Sequence, residues 1–188
     1  MVMTDDSVLS KALRDPPCVT DIPPNMHQSY LRCKMKVYEM KLLGHRLRPP
    51  HDTCTDISGT HTSHTPSLEN DLTCLQQELC EPLTFARGGY THTIDGPAFL
   101  TILRRYQDST RSKDQAHLGW CVDVRVTLVE GKHHQLRRIA KRSGLVMVAL
   151  RRVCIASILH VDSVPEPGEC RWLTVEEVEA LYEGLGLK

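Results

Sequence analysis

The segment from Cys121 to Arg152 constrains the fold of this chain more than any other. In "CVDVRVTLVEG" apolar residues occupy every second position from Val122 to Leu128, and this alternation predicts a half-buried β-strand. After Gly131 the period changes to that of an amphipathic helix, which Gly144 ends. The apolar side of this helix consists of Leu136, Ile139 and Ala140. The segment therefore predicts a strand, a tight glycine turn and a helix in direct succession.

Positive charge is concentrated in the same segment. Residues 131–152 include five arginines, two lysines and two adjacent histidines but no acidic residue, although the chain has a formal net charge of 0. Backbone N–H groups and guanidinium groups at the start of such a helix suit a phosphate or a carboxylate. Two interpretations stay open. The charge marks a nucleic-acid-binding surface, or it is a solvated face balanced by the acidic last helix with Glu176, Glu177, Glu179 and Glu183.

Length and composition favour one domain. The chain has 188 residues, of which 40% are hydrophobic, and this is enough for one substantial core. Its longest apolar run, Leu145 to Leu150, is far shorter than the roughly 20 residues that cross a bilayer. The N-terminus lacks the basic and apolar regions of a secretory signal. We expect a soluble, intracellular monomer without a membrane partner, in a compartment that the sequence does not resolve.

The cysteines and histidines give no strong metal motif. The eight cysteines are scattered and form no CxxC pair, which predicts reduced thiols. A zinc site from Cys54, His61, His64 and Cys74 can be drawn, because the two histidines are three residues apart and the cysteines flank them. Since structural zinc sites usually contain tight cysteine pairs, and loop histidines are more often solvated, we predict no metal.

The remaining elements are predicted from periodicity. Asp6 or Ser7 caps a first helix, and "KMKVYEMKLLG" alternates as a strand. The Pro-, Thr-, Ser- and His-rich stretch from His45 to Asp71 predicts a long loop, and "SLENDLTCLQQELCEPL" predicts a helix. In "DGPAFLTILRRYQDS" the spacing predicts another helix, whose apolar stripe is Phe99, Ile102, Leu103 and Tyr106.

The end of the chain predicts two further elements. "LVMVALRRVCIASILHV" predicts a buried strand pair or one long strand. In "GECRWLTVEEVEALYEGLG" we expect a helix that begins with a capping box between Thr174 and Glu177. The inward stripe of this helix is predicted to be Val175, Val178, Leu181 and Tyr182.

The segment "VTLVEGKHHQLRRIAKRSGLVMVALRRVCIASI" also resembles the C-terminal motif of RsuA/RluB/RluF-type pseudouridine synthases. That pattern is roughly E-G-[RK]-x-x-Q-[VIL]-[RK]-R-[MI], then G, then L-x-R. The matching residues are Glu130, Gly131, Lys132, Gln135, Leu136, Arg137, Arg138, Ile139, Gly144, Leu150 and Arg152. "KVYEMKLLG" and "PGECRWLTVEEVEAL" resemble two further family segments in the same order. The resemblance covers about residues 1–44 and 121–185, so residues 45–120 are interpreted as an insertion in a single, partial catalytic domain.

The resemblance implies an α+β fold with a mixed, mostly antiparallel sheet and flanking helices. It also implies isomerisation of uridine to pseudouridine in structured RNA, ribosomal or transfer, with a flipped target base and without a cofactor or metal. By this resemblance Tyr38 stacks on the uracil and Arg137 pairs with the catalytic aspartate. Lys132, Gln135, Arg138 and Arg152 contact RNA or support the turn. Simpler roles stay open: Tyr38 as a packed ring, Arg137 in a structural ion pair, and Gln135 as a brace.

One departure from the family pattern affects the predicted activity. The family nucleophile is an aspartate in a G-R-L-D segment, and no R-L-D occurs in these 188 residues. Asp5, Asp6 and Asp123 lie outside any such motif. We therefore expect either a chain that begins after the catalytic aspartate or a protein that has lost catalysis. The alternative function is an inactive RNA-binding or assembly module that keeps the basic cleft. A small-molecule or protein-interaction domain is a third possibility.

Overall fold

The computed structural model describes residues 6–14, 32–49, 68–108, 119–164, 166 and 168–187. In chain order, its helices and strands are α1 (Ser7–Arg14), β1 (Lys36–Leu43), α2 (Leu68–Cys80), β2 (Leu83–Arg87), β3 (Tyr90–Ile94), β4 (Phe99–Gln107), β5 (Trp120–Leu128), α3 (Gln135–Arg142), β6 (Val146–Ile155), β7 (Leu159–His160) and α4 (Val175–Gly184). Two short 3-10 helices span His45–Leu47 and Val161–Ser163. Within the described part of the chain, no helix has the length and apolar character needed to cross a membrane.

Two sheets organise these elements. Five strands form one sheet in the order β4-β5-β1-β6-β7, while β2 and β3 form a separate two-stranded hairpin. The hairpin and the β6–β7 pair are both antiparallel. Helices and a mostly antiparallel sheet confirm the predicted α+β class.

The chain divides into two compact units. The first unit comprises residues 1–38, 127–131 and 151–188, and the second comprises residues 39–126 and 132–150.

The core of the first unit is formed by α1, α4 and the end of β6. Its buried residues are Leu9, Ala12, Cys33, Ala156, Leu181 and Leu185. Asp6 caps α1 as predicted, because its Oδ1 accepts hydrogen bonds from the backbone N–H groups of Val8 (2.8 Å) and Leu9 (3.0 Å). At the start of α4 the predicted capping box between Thr174 and Glu177 is confirmed. Leu181 is fully buried on α4, whereas Val175 is 70% exposed, so the predicted inward stripe is wrong at that position.

The core of the second unit is built on β5 and two helices. Cys121, Val122, Val124 and Val126 are fully buried, which confirms the alternating strand and adds a second buried face at Cys121. Leu79 of α2 and Ile139 of α3 are buried as well, and this confirms both predicted helices. Gly96 lies so close to α2 that a Cβ atom there would be 1.7 Å from the carbonyl oxygen of Cys80.

One sequence prediction in this region is wrong, and another is confirmed only in part. Residues 99–107 form strand β4 rather than a helix, and Phe99 and Leu103 of the expected apolar stripe are 64% and 47% exposed. The spacing of these residues suits a helix, but hydrogen bonding to β5 requires a strand. Residues 146–155 form one long strand, but the burial predicted for a strand pair is limited to its end: Cys154 is 3% exposed, whereas Val146, Val148 and Leu150 are 61%, 40% and 41% exposed. The loop predicted between His45 and Asp71 lies largely outside the described residues.

Candidate RNA-binding site

The turn before α3 is held by a buried glutamine. The Gln135 side chain is 2% exposed, and its Oε1 accepts a hydrogen bond from the backbone N–H of Lys132 at 3.2 Å. Its Nε2 donates to the carbonyl of Asp95 at 2.9 Å. His134 precedes the helix in the left-handed region, with φ 55°, and makes no side-chain cap. Gln135 therefore joins the turn before α3 to the base of the hairpin.

Three cationic side chains on or before α3 contact other groups of the protein. The Arg138 guanidinium lies 4.2 Å from the centre of the Phe85 ring, a cation–π contact with β2. Arg142 donates through Nη1 to the carbonyls of Glu81 (3.0 Å) and Pro82 (2.8 Å), and through Nη2 to that of Glu78. These carbonyls are at the C-terminal end of α2, where a cation is favoured. Lys132 Nζ donates to the carbonyl of Thr93 at 2.8 Å.

Arg137 and Lys141 face a cleft instead. Both are exposed, and within the described part of the chain no carboxylate forms an ion pair with either of them. They are four residues apart on α3, where like charges repel by a few tenths of a kcal/mol unless an anion lies between them. Both line an open cleft of about 480 Å³, whose other wall is Leu145–Leu150. One wall is therefore cationic and the other is apolar, which suits a ligand with an anionic group and a flat, uncharged part.

The pKa of His134 is affected by the charged groups at this end of the helix. The pKa of His134 is lowered, first by the neighbouring His133 and by partial burial, and then by Arg137 and Arg138. The His133 and His134 rings are stacked with their centres 3.8 Å apart. The charges of Arg137 and Arg138 add to the effect of His133 in disfavouring protonation of His134.

The first unit contains a tyrosine flanked by cations. Tyr38 on β1 is 8% exposed, and its hydroxyl accepts a hydrogen bond from Arg152 Nε at 3.1 Å. The Arg152 guanidinium carbon is 5.1 Å from the centre of the Tyr38 ring. Lys36 is on the same face of β1, two residues before Tyr38, and its pKa is lowered by burial and by the charges of Arg152 and Lys34. The Tyr38 ring is thus oriented by a guanidinium group in positive surroundings.

Some of the predicted site residues belong to the first unit and the others to the second. Tyr38 and Arg152 contact each other in the first unit. The predicted residues of the second unit are Lys132, Gln135, Arg137 and Arg138. Lys36 and Lys141 are near these residues but are not among the site residues predicted from the sequence. The signal for Lys36 was its position two residues before Tyr38 on a strand, and the signal for Lys141 was its position four residues after Arg137 on a helix.

The aspartates outside the family motif and the possible zinc ligands are the other candidates for chemistry in the sequence. Asp6 caps α1 and accepts a hydrogen bond from the Tyr182 hydroxyl. Asp123 accepts hydrogen bonds from Arg104 Nε (2.5 Å) and the Tyr106 hydroxyl (3.1 Å). No group of three or more His, Cys, Asp or Glu residues suits a metal ion among the described residues. Asp5 and three residues of the zinc site drawn from the sequence, Cys54, His61 and His64, lie outside these residues.

Part of the chain is similar to curated RNA pseudouridine synthases. A "Ribosomal small subunit pseudouridine synthase A" from Vibrio parahaemolyticus is 40% identical over 60 residues, which are 32% of this chain and 25% of the relative. An "Uncharacterized RNA pseudouridine synthase" from Aquifex aeolicus is 43% identical over 58 residues, 31% of this chain and 24% of the relative. The "Uncharacterized RNA pseudouridine synthase YtzG" of Bacillus subtilis is 38% identical over 60 residues, 32% of this chain and 25% of the relative.

These matches show that a segment of about 60 residues in this chain is similar to RNA pseudouridine synthases. The RsuA-type resemblance of the motif is confirmed, because relatives named small subunit pseudouridine synthase A are among the matches. The matched segment spans about a quarter of the length of these curated relatives. No family model matches the chain, and no solved structure gives a significant match.

Proposed function

We propose that this chain is part of an RNA pseudouridine synthase that isomerises uridine to pseudouridine in structured RNA, with ribosomal RNA as the preferred substrate. One observation supports the proposal most strongly: two cations on one face of α3, Arg137 and Lys141, have no ion-pair partner in the described part of the chain and line an open cleft. The reaction class of the proposal comes from the relatives, which are named as RNA pseudouridine synthases.

The proposed reaction conserves the atoms of the nucleotide. The bond between uracil N1 and ribose C1′ breaks, the detached uracil turns, and C5 bonds to C1′. The C5 proton leaves and N1 gains a proton, so no oxidant, reductant or co-substrate is required. The target base must first leave its stack, because the glycosidic carbon is unreachable inside a helix.

Within this proposal, each predicted residue has a definite task. Arg137 presents an exposed guanidinium fork that can pair with the catalytic aspartate of the family. Tyr38 stacks on the uracil after the Arg152 side chain, which is exposed and bonded to the Tyr38 hydroxyl, moves aside. Gln135 acts as a brace and not as a direct RNA contact, since both ends of its amide bond to the backbone. Lys132 and Arg138 hold the hairpin and add positive charge for phosphates.

A second candidate function follows from the same sequence. This chain contains no R-L-D segment, and Asp6 and Asp123 both accept hydrogen bonds within the protein. A binding or assembly module that keeps the cleft without chemistry would need only the cations and the apolar wall. The two candidates predict the same RNA affinity but different chemistry.

The deciding experiment measures pseudouridine formation under single-turnover conditions. The chain and a version extended by the codons upstream of Met1 are incubated with ribosomal and transfer RNA transcripts, and pseudouridine is quantified by mass spectrometry. Arg137→Lys serves as the matched variant, because lysine keeps the charge but lacks the bidentate fork.

The outcomes separate the two candidates. Pseudouridine formation by the extended chain, lost in Arg137→Lys, supports the synthase. If neither form converts uridine while both bind RNA with steep salt dependence, the binding module replaces it. If neither form binds RNA, both functions are wrong.

A further inference from the structure

The β2–β3 hairpin has a stable base and an exposed end. Isolated two-stranded hairpins are marginal in water, so this one needs anchors. Three of them lie at its base: Ile94 is 2% exposed, Gln135 bonds to the carbonyl of Asp95, and Lys132 bonds to that of Thr93. A fourth is the Arg138 contact with Phe85 in the middle of β2. The far end is a glycine turn, in which Gly88 and Gly89 have φ values of 61° and 80°.

The two faces of the hairpin differ in chemistry. Phe85 pairs directly with His92, and their rings stack with centres 5.4 Å apart. Tyr90 lies two residues from His92 and therefore on the same face. The opposite face carries small residues, with Thr84 and Thr93 joined through their hydroxyls at 3.4 Å. All three rings of the hairpin thus lie on one face.

Tyr90 is the outermost of these rings and is 75% exposed. A large exposed ring beside a glycine turn contributes little to the fold, because it buries almost no area. The Arg138 guanidinium covers the Phe85 ring on the same face, so α3 both supports this surface and gives it positive charge. Aromatic rings with nearby cations are the usual platform for unpaired bases of RNA.

We propose that the aromatic face of the β2–β3 hairpin stacks on unpaired bases that flank the target uridine, through the exposed rings of Tyr90 and His92, with Phe85 supporting them from below Arg138. This inference rests on the proposed function and adds a contact with single-stranded RNA to it. A fully paired duplex offers no free base face, so the hairpin selects loops and bulges. Tyr90 is the ring that makes the first stacking contact.

The test compares two RNAs and three variants by fluorescence anisotropy. One RNA is a labelled stem-loop with unpaired uridines, and the other is a blunt duplex of the same length. Tyr90→Ala removes the ring, and Tyr90→Phe keeps it. Trp172→Ala is the matched control, because this tryptophan is 94% exposed and lies in the other unit. Circular dichroism of each variant checks that the fold is unchanged.

We expect Tyr90→Ala to weaken stem-loop binding by about 5-fold or more, which is the usual effect of losing one stacked base. Duplex affinity should stay the same, and Tyr90→Phe and Trp172→Ala should bind both RNAs as the wild type does. Unchanged stem-loop affinity in Tyr90→Ala, or an equal loss for both RNAs, would overturn the stacking surface while leaving the proposed function intact. If the wild type binds neither RNA, the proposed function fails together with this inference.

Discussion

Helices α3 and α4 are both amphipathic and highly charged, yet they use their charge differently. In α4 the Glu177 carboxylate accepts hydrogen bonds from Arg171 and from the backbone N–H of Thr174, so it stabilises the first turn of its own helix. In α3 the first turn has no side-chain cap from its N-cap residue, and two of the four cations face a cleft. The charge of α4 is bonded locally and supports a structural role, whereas the charge of α3 that faces the open cleft agrees with the proposed binding role.

The same contrast holds within α3. Arg142 bonds to three backbone carbonyls at the end of α2, and Arg138 lies on Phe85. Arg137 and Lys141 precede these two residues by one position each and face the cleft. Neighbouring cations on one helix therefore divide into a structural pair and a cleft-facing pair. Variants of Arg137 and Arg142 test this division, and variants of Thr174 and Glu177 test the structural use of charge in α4.

The largest effect is expected for Arg137. Arg137→Ala should reduce pseudouridine formation by the extended protein about 100-fold, because a misplaced catalytic group costs a factor of this size. The free energy of unfolding should change by less than about 0.5 kcal/mol, since the side chain is exposed. Single-turnover assays and urea unfolding measure the two effects. A large loss of stability would contradict the assignment and show Arg137 to be structural.

Arg142 should show the opposite pattern. Arg142→Ala leaves the carbonyls of Glu78, Glu81 and Pro82 without their donor, and we expect a loss of about 1–3 kcal/mol in the free energy of unfolding. Lys141→Ala is the matched control on the preceding residue and should change stability by less than about 0.5 kcal/mol. Equal losses for the two variants would remove the division between structural and cleft-facing cations.

Removal of the α4 cap should have a smaller effect. Thr174→Ala deletes the side chain that accepts a hydrogen bond from the Glu177 backbone N–H at 3.2 Å, and such caps contribute about 1 kcal/mol. Chemical denaturation should show this loss, while RNA affinity stays at the wild-type value. A Thr174→Ser variant restores the hydroxyl and should recover most of the stability. Reduced RNA affinity in Thr174→Ala would indicate that α4 also takes part in binding.

The smallest effect is a pH dependence from Glu177. The pKa of Glu177 is lowered to about 2, first by Arg171 and then by the Thr174 backbone N–H. Because the folded pKa is below the usual value near 4.3, this stabilisation is present above about pH 4.5 and is lost as the pH falls towards 2. We expect Glu177→Gln to be less stable than the wild type at pH 7 and to approach it at pH 2.5. A stability difference that stays constant across this range would contradict the prediction.

The sequence predicted elements whose signals are local. Strand β5, the glycine turn and α3 follow from a change of hydrophobic period at Gly131, and the α4 cap follows from residues three positions apart. Strand β4 was mispredicted because Phe99, Ile102, Leu103 and Tyr106 match helical spacing, while the pairing with β5 that determines their conformation is not local. The hairpin does have a local sequence pattern, because a Gly-Gly pair between two runs of β-forming residues is typical of a hairpin turn.

The sequence names the residue types of the candidate site but not the contacts that each residue makes. Arg137 and Arg138 are adjacent and chemically identical, so only the position of Phe85 shows that the second supports the hairpin. Gln135 could equally have bound RNA or braced the turn, and its burial against the Asp95 carbonyl favours the brace. These roles depend on partners 40 or more residues away along the chain, which a sequence pattern does not contain.

The salt dependence of RNA binding tests the role of the cleft-facing cations most directly. The affinity for a ribosomal stem-loop is measured from about 50 to 200 mM salt for the wild type, Lys141→Ala and the exposed control Lys11→Ala on α1. If Lys141 contacts a phosphate, its removal should reduce the slope of log K against log salt by about 1, and Lys11→Ala should leave the slope unchanged. Equal slopes for all three proteins would contradict RNA binding by this face of α3.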